Sequence, residues 1–455
     1  MKNHTLPFLT FLLLITLGTA TGQKTLNTLS IGDYPGIRSS TRVNPGISSG
    51  SHSGFYIRFA EDISALCEKY GTTAGDSSTR YKKYPKFRLN VMATNGGFDS
   101  VKRLRFESET QLAIVQSDLW YFADRNSNPS DPYGQRLSPE KRASWAKMAD
   151  CIRLVLPLYT EKIHIVVRKE EKGESGDQFK DLMSLFEKNA RVNIGTVGSG
   201  SMITCTLIEE MILEEMRRQG KRDMRWKPSF DSAGIALGRL VDKNVDPDLK
   251  LDAVIFVGGV PYPALDKFSL TQVKEKAKRS IFSLGNLGGG GGAPDNSISD
   301  LALLPFGEEA DRIVDRNPRF RYVKTAFSQD DYPFLAKSNE RVWTRGVTAC
   351  LVTHRDYTTQ SKDSHKILWV RHILYRILTK LDPGSKFGLA DDFGEPQAGD
   401  KWLALFENRD QTGKMDWDSF GWKRHDDPVL QSMLNIWSTG SRPVTPGRII
   451  DPDVF

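Results

Sequence analysis

Residues 192–202 read VNIGTVGSGSM. Val192, Asn193 and Ile194 make a short strand-like run, and the glycines at 195, 198 and 200 then turn the chain. From Met202 to Arg217 apolar residues return at helical spacing. Strand, glycine turn and helix in that order form the unit of an α/β layer structure with mainly parallel strands. The same unit recurs outward in both directions. Phe55, Phe59, Ile63 and Leu66 share one helical face. Residues 87–91 alternate like a strand before the turn Asn95-Gly96-Gly97, and Val101 and Leu104 open another helical stripe. Leu112-Ala113-Ile114-Val115 is a short buried strand ahead of a helical run at 118–123. Residues 152–158 and 163–167 read as two neighbouring strands. A loop at Asp231-Ser232-Ala233-Gly234 leads into a helix ending at Val241, and residues 253–257 form a strand that closes on Gly258-Gly259. The second half repeats the first, which predicts two α/β lobes.

Three stretches fall outside this pattern. A strand-like run at 28–31 precedes a Gly/Ser/Pro-rich loop reaching Gly54. Residues 125–139 are polar and proline-bearing and read as an exposed insertion. Residues 288–292 are five consecutive glycines, which suit a surface insertion because fixing glycine costs the most backbone entropy. A phosphate loop would need a Lys-Ser/Thr pair that this run lacks.

A chain of 455 residues exceeds one ordinary domain. Its 39% hydrophobic and 26% charged content excludes wholesale disorder and a polytopic membrane protein. The 63 basic against 56 acidic residues give a formal charge of +7, but the basic clusters lie in helix-like stretches and read as solvated faces. No nucleic-acid partner is expected. Lys2, the apolar residues 8–17 and the small residues Gly18-Thr19-Ala20 have the layout of a secretory signal peptide, residues 1–20, so the expected location is periplasmic or otherwise extracytoplasmic. Cys67, Cys151, Cys205 and Cys350 have neither CxxC nor metal-ligand spacing. They read as buried free thiols, with one disulfide still allowed.

Catalytic patterns fail on spacing. Neither Ser199 nor Ser201 stands in G-x-S-x-G, the glycine order at 195–200 is not that of a dinucleotide fingerprint, and His164, His354, His365 and His372 have no metal-ligand spacing. The expectation is a binding protein and not an enzyme, with no cofactor and no metal. What the loops offer is anion binding. A Gly/Ser turn running straight into a helix presents unpaired backbone N–H groups, and the helix dipole favours negative charge there. One such turn occurs in each half, at Ser51-His52-Ser53-Gly54-Phe55 and at Gly198-Ser199-Gly200-Ser201-Met202. Each alone also reads as a simple N-cap.

Four ordered segments carry a family likeness. They are Ser53-Gly54-Phe55-Tyr56; residues 93–101 with 112–118; residues 157–167 with 192–201; and residues 252–261, with a weaker echo at 345–352. In this order and spacing the chain resembles the TAXI group of extracytoplasmic solute receptors, which serve TRAP-type transporters. The likeness spans residues 28–381. It departs at Ser53, where the family turn has a glycine, at the enlarged loop 32–50, at the insertions, and in the tail 382–455. That tail holds Trp402, Trp417, Trp422 and Trp437 and reads as a packed appendage.

The resemblance implies an α/β fold of the type II periplasmic-binding-protein clamshell, with two lobes joined by two crossover strands. The implied division is lobe 1 at 21–158 and 347–381, lobe 2 at 159–346, and a C-terminal extension at 382–455, with crossings near Pro157-Leu158-Tyr159 and Gly346-Val347. The implied ligand is a small organic acid or amino acid, glutamate- or 2-oxoglutarate-like, and the implied partner is a TRAP-type membrane permease. A clamshell repurposed for sensing or protein interaction is the alternative. On this reading Ser51, Ser53, Gly54 and Phe55 face Ser199, Gly200, Ser201 and Met202 across the cleft. Gln116, Ser117 and Asp118 lie at a strand's C-terminal end, where open α/β sheets bind ligands. Asp118 either pairs with a ligand ammonium or caps the next helix. Asn95 and Gly259 are further cleft residues.

Overall fold

A computed structural model describes residues 45–51, 54–70, 87–107, 109–169, 179–221, 224–242, 244–266, 301–317, 321–332, 341–358, 360, 364–382, 384–407, 415 and 417–439. The expected signal peptide, the strand-like run at 28–31, His52 and Ser53, and the five-glycine run lie outside the described residues.

Among the described residues ten strands form one sheet: β1 (Gly46–Ser49), β2 (Asn90–Ala93), β3 (Thr110–Gln116), β4 (Ile152–Arg168), β5 (Arg191–Asn193), β6 (Lys227–Ser229), β7 (Ala253–Gly258), β8 (Leu301–Leu303), β9 (Val323–Phe327) and β10 (Val342–His354). Its path runs β2-β1-β3-β10-β4-β7-β5-β6. In the first half β1 lies parallel between β2 and β3, and β10 runs antiparallel beside β3. In the second half β5 lies parallel between β6 and β7, and β4 runs antiparallel beside β7. Each half thus has the order second, first, third, then a long strand of opposite direction. That repeated order, closed by two strands that pass through both halves, is the type II periplasmic-binding-protein clamshell.

The longer helices are α1 (Phe55–Lys69), α2 (Gly97–Phe106), α3 (Asp118–Ser127), α4 (Pro139–Cys151), α5 (Gly200–Arg218), α6 (Ala233–Val241), α7 (Glu308–Asp315), α8 (Ser364–Lys380) and α9 (Pro428–Thr439). Helix α5 buries residues on most of its circumference, including Met202, Ile203, Cys205, Leu207, Ile208 and Ile212. Each such side chain contributes roughly 1.5–3 kcal/mol by leaving water.

The structure departs from the sequence reading in four places. Residues 152–158 and 163–167 belong to one continuous strand, β4, of 17 residues. It pairs with β10 along both lobes, from Ile152↔His354 to Lys162↔Gly346. The ladder shifts register between Thr348 and Cys350 and again between Leu351 and Val352, and such irregularities bend a strand and increase its twist. The glycine/serine-rich stretch taken for a loop contains the central strand β1 (GISS), fully buried. Its small residues are a packing requirement: a Cβ on Gly46 would lie 2.2 Å from the Glu109 carbonyl oxygen. The strand expected at 87–91 begins instead at Asn90. The polar stretch at 125–139, largely exposed as expected, also carries a short helix Pro132–Gln135 that the reading did not name, capped by Asp131, whose carboxylate pairs with Arg125.

All four cysteines are free and buried. Burial pushes the Cys67 thiol up to about 12. The tail packs on the first lobe: Trp402, Trp422 and Trp437 are buried in the main core cluster, and Trp417 packs against it.

Candidate functional site

In each lobe, helices follow parallel strands, so their N-termini collect at the strands' C-terminal ends. The N-caps of α1 (Gly54), α2 (Gly96), α5 (Ser199) and α6 (Ser232) all line one cavity of about 590 Å³. That volume suits a small organic molecule. α1 and α2 come from the first lobe, α5 and α6 from the second, so the cavity is the inter-lobe cleft.

The α5 end shows how the donors are arranged. Ser199 Oγ accepts from the Met202 N–H at 3.2 Å, and the Ile203 N–H goes to the Ser199 carbonyl. Among the described residues nothing accepts from the N–H groups of Gly200 and Ser201. Ser201 Oγ accepts from the Val257 N–H at 2.9 Å, which leaves its own proton for a ligand. Each helix terminus contributes roughly 0.3–1 kcal/mol toward an anion, more where partly buried.

The lobes touch at the cleft margin. A Cβ on Gly96 would lie 2.7 Å from the Ser199 Cα. Asp118, on α3, accepts from Thr204 Oγ1 of α5 at 2.6 Å and from Tyr322 Oη at 3.1 Å. Arg125 of α3 pairs with Glu210 of α5. These contacts join the two lobes beside the cavity.

The expected site residues divide clearly. Ser51, Gly54, Phe55, Asn95 and Gln116 line the cavity from one side, and Ser199, Gly200 and Ser201 from the other. Four others lie off its lining. Ser117 is buried as the N-cap of α3, with its N–H on the Thr348 carbonyl. Asp118 is turned to Thr204 and Tyr322 and not toward the cavity. Met202 is buried in the core, its Sδ accepting from the Gly198 N–H. Gly259 lies against the Phe55 ring, 2.6 Å from where its Cβ would be. Ser53 is outside the described residues.

The sequence reading assigned no role to Glu161 of β4, which sits in the cavity wall and is only 4% exposed. Its Oε2 accepts from Tyr56 Oη at 2.6 Å and from Gln116 Nε2 at 2.9 Å. A carboxylate in the polar triplet Thr160-Glu161-Lys162, between two apolar strand runs, was the available signal. Burial pushes Glu161 up to about 7, against the two hydrogen bonds that favour its charged form. Burial also lifts Asp118 to about 6, offset by Thr204 and Tyr322, and Glu209 on α5 to about 7.

Between pH 4 and 7 these carboxyls keep protons in the folded chain that the unfolded chain releases. Their stabilising contribution is complete below about pH 4 and is lost as pH rises through 6 to 7. The melting temperature of the unliganded protein is expected to fall between pH 5 and pH 8. Glu161→Gln should flatten that fall by a few kcal/mol at most, read by calorimetry across the range. A wild-type profile that rises over this interval, or a variant profile of unchanged slope, contradicts the assignment.

Among the described residues no group of three or more His, Cys, Asp or Glu side chains is placed to hold a metal, and no helix is long and apolar enough to cross a membrane.

The fold and the shared cavity define a periplasmic-binding-protein-type clamshell. No family model matches the chain. Among solved structures it is similar to the effector-binding domain of QuiR in complex with shikimate, with 9% identity, 73% of this chain and 97% of that one covered, and a TM-score of 0.32. It is similar to holo ArgBP from T. maritima, with 8% identity, 72% and 87% coverage, and a TM-score of 0.29. It is also similar to a Candida albicans gene product described as defining a new family with the generic periplasmic binding protein fold, with 10% identity, 90% and 94% coverage, and a TM-score of 0.33. These likenesses are distant, and the clamshell assignment stands on strand order.

Proposed function

We propose that the chain is an extracytoplasmic solute receptor that closes on a small organic acid or amino acid and hands it to a TRAP-type permease, as its TAXI-like segments imply. The observation that carries the binding reading is the convergence of four helix N-termini, two from each lobe, on one cavity. An anionic group there receives backbone N–H donors from both lobes at once, which links its capture to closure. Binding without turnover is part of the proposal.

The test is a thermal-shift screen of the full chain against α-amino acids, 2-oxo acids and dicarboxylates. A ligand present at a hundred times its Kd adds about 2.7 kcal/mol and raises Tm by a few degrees. Ser199→Ala combined with Ser201→Ala should remove that response while costing the free protein about 2 kcal/mol in lost cap and hydrogen bond. No response to any compound at millimolar concentration, or a compound consumed during incubation, overturns the reading. The permease step is tested separately by asking whether the liganded chain associates with TRAP membrane subunits in detergent.

A further inference from the structure

We infer that Glu161 and Gln116 form a recognition site for a ligand ammonium, so that the cleft selects an α-amino acid over the matching 2-oxo acid or dicarboxylate. The inference rests on the receptor reading above and narrows its substrate class.

The charge inventory comes first. Among the described residues lining the cavity, Glu161 is the only carboxyl, and Lys, Arg and His are absent. A dicarboxylate would bring two negative charges to a buried acid with no fixed cation among the described residues of the wall. A zwitterion brings one charge to the helix N-termini and the opposite charge to the acid.

The hydrogen-bond inventory agrees. Glu161 Oε2 is filled by Tyr56 and Gln116, and no described group donates to its Oε1. Gln116 is also 4% exposed, and its Oε1 is buried without a partner. The bond from Gln116 Nε2 to Glu161 fixes the amide's orientation, since the opposite one would set two acceptors together. Two acceptors on adjacent side chains are therefore unfilled. An ammonium has three N–H donors and no acceptor, whereas a 2-oxo acid or dicarboxylate has only acceptors to offer.

Gln116 also links this acceptor pair to the donor end of the cleft. A Cβ on Gly200 would lie 1.9 Å from Gln116 Oε1, so only glycine at the first position of α5 admits the amide there. Gln116 thus places the acceptor pair beside the N-terminus of α5, so one small zwitterion can reach both.

The groups around Glu161 set its pH response. Tyr56, Tyr159 and Tyr262 are neutral phenols held well above neutrality by burial, Asp118 on α3 disfavours its ionisation, and Lys401 of the tail favours it. An incoming ammonium favours the ionised form, so binding near pH 6 should release close to one proton from Glu161.

The experiment is titration calorimetry on the full chain with matched pairs: L-glutamate with 2-oxoglutarate, L-alanine with pyruvate, and L-leucine with 4-methyl-2-oxopentanoate. The expected result is that at least one amino acid binds a hundredfold or more tighter than its oxo partner. Glu161→Gln, checked for folding by circular dichroism, should cut that ratio at least tenfold. Wild-type binding at pH 6 in buffers of different ionisation enthalpy should show proton release that vanishes by pH 8.5, which tests the idea even if the variant misfolds. Oxo acids or dicarboxylates bound as tightly as amino acids, an unchanged ratio in Glu161→Gln, or no proton release at pH 6 overturns the ammonium site and leaves the receptor reading standing. No binding by any of the six compounds overturns both.

Discussion

Gly96→Val is expected to hold the clamshell open and weaken ligand binding about a hundredfold. Gly96 caps α2 with φ +132°, a backbone conformation that L side chains rarely adopt, and its missing Cβ is 2.7 Å from the Ser199 Cα and 3.1 Å from the Gly198 carbonyl oxygen. The obstruction is backbone of the opposite lobe, which no rotamer change relieves. A local penalty of about 3 kcal/mol on the closed form reduces its population by roughly a hundredfold, and apparent affinity falls in proportion. Calorimetry with the tightest compound of the screen measures the loss. X-ray scattering should show the wild type contracting with ligand and the variant keeping its larger radius. Affinity within threefold of wild type would mean that closure does not bring these turns together.

The second large effect is on stability. Trp402→Ala is expected to cost about 3–5 kcal/mol. Trp402 is completely buried, stacks on Phe59 of α1 with ring centroids 4.1 Å apart, and donates from Nε1 to Asp62 at 2.9 Å. Asp62 also accepts from the N–H groups of Gln397 and Ala398. Burial raises its pKa while these three bonds lower it, so removing one leaves a buried acid less well satisfied. Phe59 in turn packs on Tyr159, two residues from Glu161. The tail is therefore tied to the helix whose N-terminus opens on the cleft. Urea unfolding of the full chain checks this, and a loss below 1 kcal/mol would show the tail to be an appendage without structural weight.

The parts legible from sequence are those where a short stretch dictates its own geometry. The run at 192–202 had to turn at its glycines and start a helix, and both Gly/Ser turns meet at one cavity. Placement of side chains across the fold was not legible in the same way. β1 has one large apolar residue, Ile47, and is a strand because its neighbours on both sides demand small residues. Residues 152–158 and 163–167 read as two strands, whereas they belong to one continuous strand that changes neighbours along its length. Asp118 was expected to face a ligand ammonium or cap a helix. It turns to Thr204 and Tyr322, far along the chain, and the unfilled acidic oxygen in the cleft belongs to Glu161.

The threading of β10 constrains how the chain can be made. This strand lies between β3 and β4 in the sheet, yet it is supplied by residues 342–354, after the second lobe has been traversed. A nascent polypeptide emptied from the ribosome as far as residue 341 has a gap in the sheet between β3 and β4. The early half must wait for the late one, and cutting the gene at the lobe boundary would yield two pieces, neither of which holds a whole sheet.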